Sequence, residues 1–70
     1  MTKDQIKYSL KHMRNGDLDT YEGERKKVDI HKSDEGILSI GGVEYTLDAA
    51  ANIIDAIDPH SVYPSYEGEF

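Results

Sequence analysis

The spacing of apolar residues changes twice along this chain, and each change marks a different kind of element. In the first segment Ile6, Leu10 and Met13 recur at helical spacing, which predicts an amphipathic helix over about Lys3 to Asn15. Thr2 and Gln5 stand in the capping-box relation, in which a hydroxyl and an amide each satisfy an orphaned backbone N–H. Lys3, Lys7, Lys11 and Arg14 run as a second stripe beside the apolar one. Lys11, His12 and Arg14 suit the negative pole of the helix, and Gly16 supplies a stop. Gly16 to Glu24 reads as a polar connector with Leu18 and Tyr21 turned inward.

The period then drops to two. Val28 and Ile30 alternate with Lys27, Asp29 and His31, Leu38 and Ile40 flank Ser39, and Val43 and Tyr45 flank Glu44. Gly41 and Gly42 form a two-residue hairpin signal, because a type I′ turn needs positive φ at both positions. That turn sets Ile40 opposite Val43 and Leu38 opposite Tyr45. A five-residue loop over Lys32 to Gly36 would set Ile30 opposite Leu38 and Val28 opposite Ile40. All these side chains then share one face, while Lys27, Asp29, His31, Ile37, Ser39 and Glu44 occupy the other.

Helical spacing returns after Tyr45. Thr46 is the N-cap, and Leu47, Ala50, Ala51, Ile53, Ile54 and Ile57 cover a broad apolar arc. Asp48, Asn52 and Asp55 line the opposite side, and Pro59 ends the helix by Asp58. Asp55 and Asp58 sit at the negative helix pole, where acids are mildly unfavourable. The remaining segment, PHSVYPSYEGEF, has two prolines and no clear period. The expected fold is therefore α+β: a helix, a three-stranded antiparallel meander and a helix, packed as a two-layer sandwich. A single domain is expected over residues 1–58, followed by an extended acidic and aromatic tail over 59–70. This element order resembles that of the double-stranded-RNA-binding domain. That family binds phosphates with lysines at the start of its second helix, where this chain has Thr46-Leu47-Asp48-Ala49-Ala50.

Charge sharpens the picture. All eight Lys and Arg residues lie at or before Lys32, among six acids, giving that half +2. The other eight acids follow it with no Lys or Arg, giving -8 and a total of -6. That balance disfavours nonspecific binding to nucleic acid or anionic membrane. Seventy residues support one small core with a thin stability margin. With no Cys, there is neither a disulfide nor a thiolate metal site. The N-terminus lacks the apolar run of a signal peptide, no run approaches a membrane span, and a cytoplasmic protein is expected.

Catalytic and metal signatures are missing. There is no GxSxG, HExxH, Walker loop or GxGxxG, so no enzymatic role and no cofactor are expected. His12, His31 and His60 share no metal-ligand spacing. Asn15, Asp17 and Asp19 start like a calcium loop, but Thr20 and Lys26 occupy the positions that need Gly and Glu.

What remains is binding. The expected function is that of a small acidic regulator or inhibitor, of the kind phages encode, which mimics nucleic acid toward a basic protein partner. Asp48, Asn52, Asp55, Asp58, Glu67 and Glu69 would supply the charge, and Tyr63, Tyr66 and Phe70 the aromatic anchors. The alternative is a homo-oligomeric assembly module. Nucleic-acid binding through Lys3, Lys7, Lys11 and Arg14 ranks third, because such stripes are ordinarily solvated flanks.

Overall fold

In the computed structural model, which describes residues 1–65, Thr2 starts the first helix as its capping box predicts. The Gln5 N–H donates to Thr2 Oγ1 at 3.2 Å, and the Thr2 N–H donates to Gln5 Oε1 at 2.8 Å. Helix α1 spans Lys3–Lys11 and stops at His12, short of the expected Asn15. The stop has a local cause. Lys32 Nζ donates to the carbonyls of Leu10, Lys11 and Met13 at 3.2, 3.2 and 2.9 Å, adding a side-chain donor at the helix end, where the Leu10 carbonyl also accepts from the Met13 N–H at 3.3 Å.

Five strands follow where three were expected. Strand β1 is Leu18–Glu22, β2 Lys27–Lys32, β3 Leu38–Ile40 and β4 Val43–Tyr45. Helix α2, Leu47–Ala56, precedes β5, Ser61–Ser65. All pairs are antiparallel and the sheet order is β4-β3-β2-β1-β5. Among the described residues the fold is α+β, with two helices and a five-stranded antiparallel sheet. The segment read as a polar connector thus contains β1, and the extended stretch after Pro59 forms the β5 edge. With these two added strands, the element order departs from that of the double-stranded-RNA-binding domain.

The β3–β4 hairpin has its expected register, Ile40 with Val43 and Leu38 with Tyr45, and Gly41 and Gly42 take φ of 61° and 83°. The β2–β3 pairing is shifted by two residues: Ile30 faces Ile40 and Lys32 faces Leu38. Ser33 explains the shift. Its Oγ accepts from the N–H groups of Glu35 and Ile37, and its own N–H donates to the Ile37 carbonyl at 2.9 Å. The turn therefore closes over residues 33–37 instead of 32–36. An even shift preserves the faces, so Ile30 and Leu38 remain buried.

Ile6, Leu10 and Met13 of the first segment, Tyr21, Ile30 and Leu38 of the sheet, and Ala50, Ala51 and Ile54 of α2 form one buried cluster. The β1 alternation is inverted relative to hydrophobicity. Asp19 and Tyr21 pair with Ile30 and Val28 and share the core side, while Leu18 and Thr20 pair with His31 and Asp29 on the other. There Thr20 Oγ1 donates to Asp29 Oδ1 at 2.7 Å.

The β1–β2 turn meets the end of α2 at Gly23. A Cβ there would collide with the Ile57 carbonyl, a backbone group that cannot swing aside. Gly23→Ala is expected to destabilise the domain by about 2 kcal/mol through overpacking, measured by denaturant unfolding. Lys32→Met keeps much of the aliphatic stem but removes the ammonium that donates to the Leu10, Lys11 and Met13 carbonyls. Its expected cost is about 1–2 kcal/mol, with loss of amide-exchange protection concentrated in α1.

Candidate functional site

Helix α2 positions the acids that the sequence singles out. Thr46 caps it by accepting from the Ala49 N–H at 3.1 Å, and the apolar arc of Ala50, Ala51 and Ile54 is buried. Asn52 and Asp55 are exposed on the other side, and Asp58 is exposed just beyond the Ile57 cap. The last turn of α2 has no basic residue. Asp58 also holds φ of 50°, the one non-glycine residue with positive φ among those described.

Asp48 occupies a different setting. Its Oδ1 lies 3.3 Å from Lys3 Nζ and 3.4 Å from Lys7 Nζ, bridging the first turn of α2 to α1. The Lys3 and Lys7 ammonium groups hold its carboxyl below the ordinary aspartate range. The pair is open to water, so its main effect is alignment. Asp48 thus stands apart from Asn52, Asp55 and Asp58 in its charge environment. Lys3 and Lys7 of the basic stripe are engaged with it, while Lys11 and Arg14 lie exposed near the α1 end.

Tyr63 is 53% exposed and pairs with Thr20, on the sheet face opposite the core. It therefore shares no surface with the α2 acids. Tyr66, Glu67, Glu69 and Phe70, also expected to contribute, lie outside the described residues.

A feature missed by the sequence reading sits between α1 and β1. Tyr8, Ser9, His12, Arg14, Asp17 and Asp19 line an open cleft of about 400 Å³. The Tyr8 and His12 rings lie 4.2 Å apart, centre to centre, at 42°. Burial, with a smaller contribution from the Asp17 charge, raises the Asp19 pKa above its ordinary value. Tyr21 is fully buried, and its hydroxyl has no partner at hydrogen-bonding geometry. Burial raises its pKa as well, opposed by the nearby Ser9 side chain and aided by Asp19. The signal in the sequence was Asp19 itself, an acid two residues from an inward-facing tyrosine in a strand.

Among the described residues no group of three or more His, Cys, Asp or Glu is arranged to hold a metal ion. Among them, too, no helix is long and apolar enough to cross a membrane. Comparison with protein-family models, curated proteins and solved structures finds no match for this chain.

The raised Asp19 pKa has a defined consequence. The folded protein binds this proton more tightly than the unfolded chain, so stability falls as pH rises through the ordinary value of 3.8 toward the folded value. Asp19 therefore costs stability at neutral pH. Asp19→Asn is expected to be more stable than the parent at pH 7, by less than about 1 kcal/mol because water screens a partly exposed group. The difference should shrink below pH ~4, as the parent carboxyl becomes neutral. Thermal unfolding of both proteins across pH checks this.

Proposed function

We propose that this chain is a small acidic regulator that binds a basic protein partner in the cytoplasm, by nucleic-acid mimicry, through the exposed C-terminal end of α2. The observation that carries this reading is Asp58. Its left-handed backbone costs roughly 1 kcal/mol for a residue with a Cβ, and its carboxylate stands at the negative pole of α2. Glycine would relieve both conflicts. A position that breaks two local rules at once points to a use outside folding. Asp55 adds a second exposed carboxylate one turn earlier, and Asn52 extends the polar stripe.

The accounting of cations supports the same reading. Lys3 and Lys7 are engaged with Asp48, and Lys32 with the α1 carbonyls, so these three do not offset the α2 end. With both helices on one side of the sheet, as a two-layer sandwich, the molecule presents a basic and an acidic region. Complementary charge of this kind speeds encounter and selects partners. The engagement of Lys3 and Lys7 weighs against nucleic-acid binding by α1.

One observation favours self-association as a second reading. The sheet ends in two edge strands, and Val43 and Tyr63 on these strands are 54% and 53% exposed.

Asp58→Gly separates binding from stability. The variant is expected to gain about 0.5–1 kcal/mol in unfolding experiments. Used as bait in affinity capture at low salt, the parent should retain a basic protein that is released at high salt. Asp58→Gly combined with Asp55→Asn should retain at most a tenth as much. A parent that retains only copies of itself would overturn the regulator reading in favour of self-association, which sedimentation over a concentration series would then show.

A further inference from the structure

Asn15 and Gly16 form the one asparagine–glycine pair in the chain, and it stands in the link between α1 and β1. In such a pair the glycine backbone nitrogen can attack the carbonyl carbon of the asparagine side chain, because glycine has no Cβ to stand in the way. The fold holds both reacting groups back. The Gly16 N–H donates to the Lys32 carbonyl at 2.6 Å, and the Asn15 Nδ2 donates to the Asp34 carbonyl at 3.1 Å. The Asp17 N–H donates to the Arg14 carbonyl at 3.2 Å, closing a turn in which Gly16 has φ of 89°. Attack on Asn15 Cγ requires the Gly16 nitrogen to leave Lys32 and the Asn15 amide to leave Asp34. Asn15 is exposed and Gly16 half-buried, so a local opening suffices and the whole domain need not unfold.

We infer that Asn15 is a site of spontaneous deamidation, gated by opening of the contact between Gly16 and Lys32, and that its products do not restore that contact. In the open state the Gly16 nitrogen bonds to Asn15 Cγ, the Cγ–Nδ2 bond breaks, and Nδ2 leaves as ammonia with the proton that Gly16 gives up. Water then opens the succinimide at either carbonyl, giving aspartate or isoaspartate. Loss of ammonia makes the change run one way. Aspartate has no amide to donate to the Asp34 carbonyl, and its carboxylate would face that oxygen. The Asp34 carboxylate is close as well, with Oδ1 3.2 Å from where a Cβ on Gly16 would stand. Isoaspartate adds a methylene to the main chain, which lengthens the turn and moves Gly16 out of register with Lys32. Either product therefore weakens the junction that ends α1 and starts β1. The other asparagine, Asn52, is an internal contrast: it lies within α2 and precedes β-branched Ile53, whose side chain hinders attack.

Peptide mapping by mass spectrometry tests this on the full chain, incubated at mildly alkaline pH in native buffer and in denaturing urea. Conversion is expected at Asn15 ahead of Asn52, and at least about tenfold more slowly in native buffer than in denaturing urea, where no gate remains. Lys32→Met removes three side-chain bonds at the junction and should convert about tenfold faster than the parent in native buffer, in proportion to the larger open population. The parent in urea below its unfolding midpoint gives the same test without a substitution, and its rate should rise with urea. Asn15→Asp, which is one of the products, should lose amide-exchange protection at Gly16 and Lys32 while α2 keeps its own. Equal rates in native buffer and denaturing urea, or no acceleration by either Lys32→Met or mild urea, would overturn the gate. Conversion at Asn52 ahead of Asn15 would overturn the site, and unchanged protection in Asn15→Asp would overturn the structural consequence.

Discussion

Lys32 is bonded from every side, and the positions of α1, β1 and β2 follow from it. A nine-residue helix does not persist alone in water, because nucleation is costly and its last carbonyls lack partners. The Lys32 ammonium donates to the carbonyls of Leu10 and Lys11 in the last turn of α1 and of Met13 just beyond it. Its backbone is engaged as well: the Lys32 N–H donates to the Asp17 carbonyl at 3.0 Å, and the Gly16 N–H donates to the Lys32 carbonyl at 2.6 Å. Gly16 takes φ of 89° to make that approach. One residue at the end of β2 thus fixes where α1 stops and where β1 starts. That placement brings Ile6, Leu10 and Met13 onto the sheet and sets Asp17 and Asp19 beside the α1 residues of the cleft.

The same interaction gives physical meaning to the charge boundary. Lys32 is the last cation in the sequence, and it is spent on a helix end. Lys3 and Lys7 are spent on Asp48, at the favourable N-terminal pole of α2. Three of the eight cations, Lys3, Lys7 and Lys32, therefore serve to position α1 against β2 and α2. The acids at the other pole of α2 receive no such compensation from within the helix. The uneven charge of the chain becomes an uneven charge of the surface, and this, more than the net charge, is what a partner would meet.

The elements with regular periods were legible in the sequence. Both N-caps, the apolar stripe of α1, the α2 arc and the glycine hairpin follow from local rules that tertiary packing did not override. Strand β1 was hidden because its pattern runs backwards, with Leu18 turned outward and Asp19 inward, so alternation points to the wrong face. β5 was hidden by Pro64, which removes a ladder donor and is tolerated only because the strand lies at the edge. The β2–β3 register depended on the Ser33 hydroxyl bonding two backbone amides, a choice among neighbouring turns that composition alone does not make. Of the expected binding residues, Asn52, Asp55 and Asp58 share one helix end. Asp48 was separated from them by a long-range pairing that no local pattern encodes. The cleft was illegible for the reason that hid β1: the residue that marks it is the one that spoils the strand.

Asp19 and Asp58 are best considered together. A domain of 70 residues buries too little surface to carry arbitrary defects, and total stabilities of small domains amount to only about 5–15 kcal/mol. Elsewhere the chain follows local rules closely: caps are filled, Gly16, Gly36, Gly41 and Gly42 supply the positive φ of the turns, and the described residues include no buried charged side chain. Against that background two aspartates stand where simpler residues would fold better, one on the core side of a strand and one in a left-handed helix terminus. Their costs are independent, since they arise from desolvation in one case and backbone conformation in the other. They also lie on different surfaces. Two unrelated departures in a chain with so small a margin are harder to attribute to tolerance than one would be, and each places a carboxylate where something outside the fold can reach it.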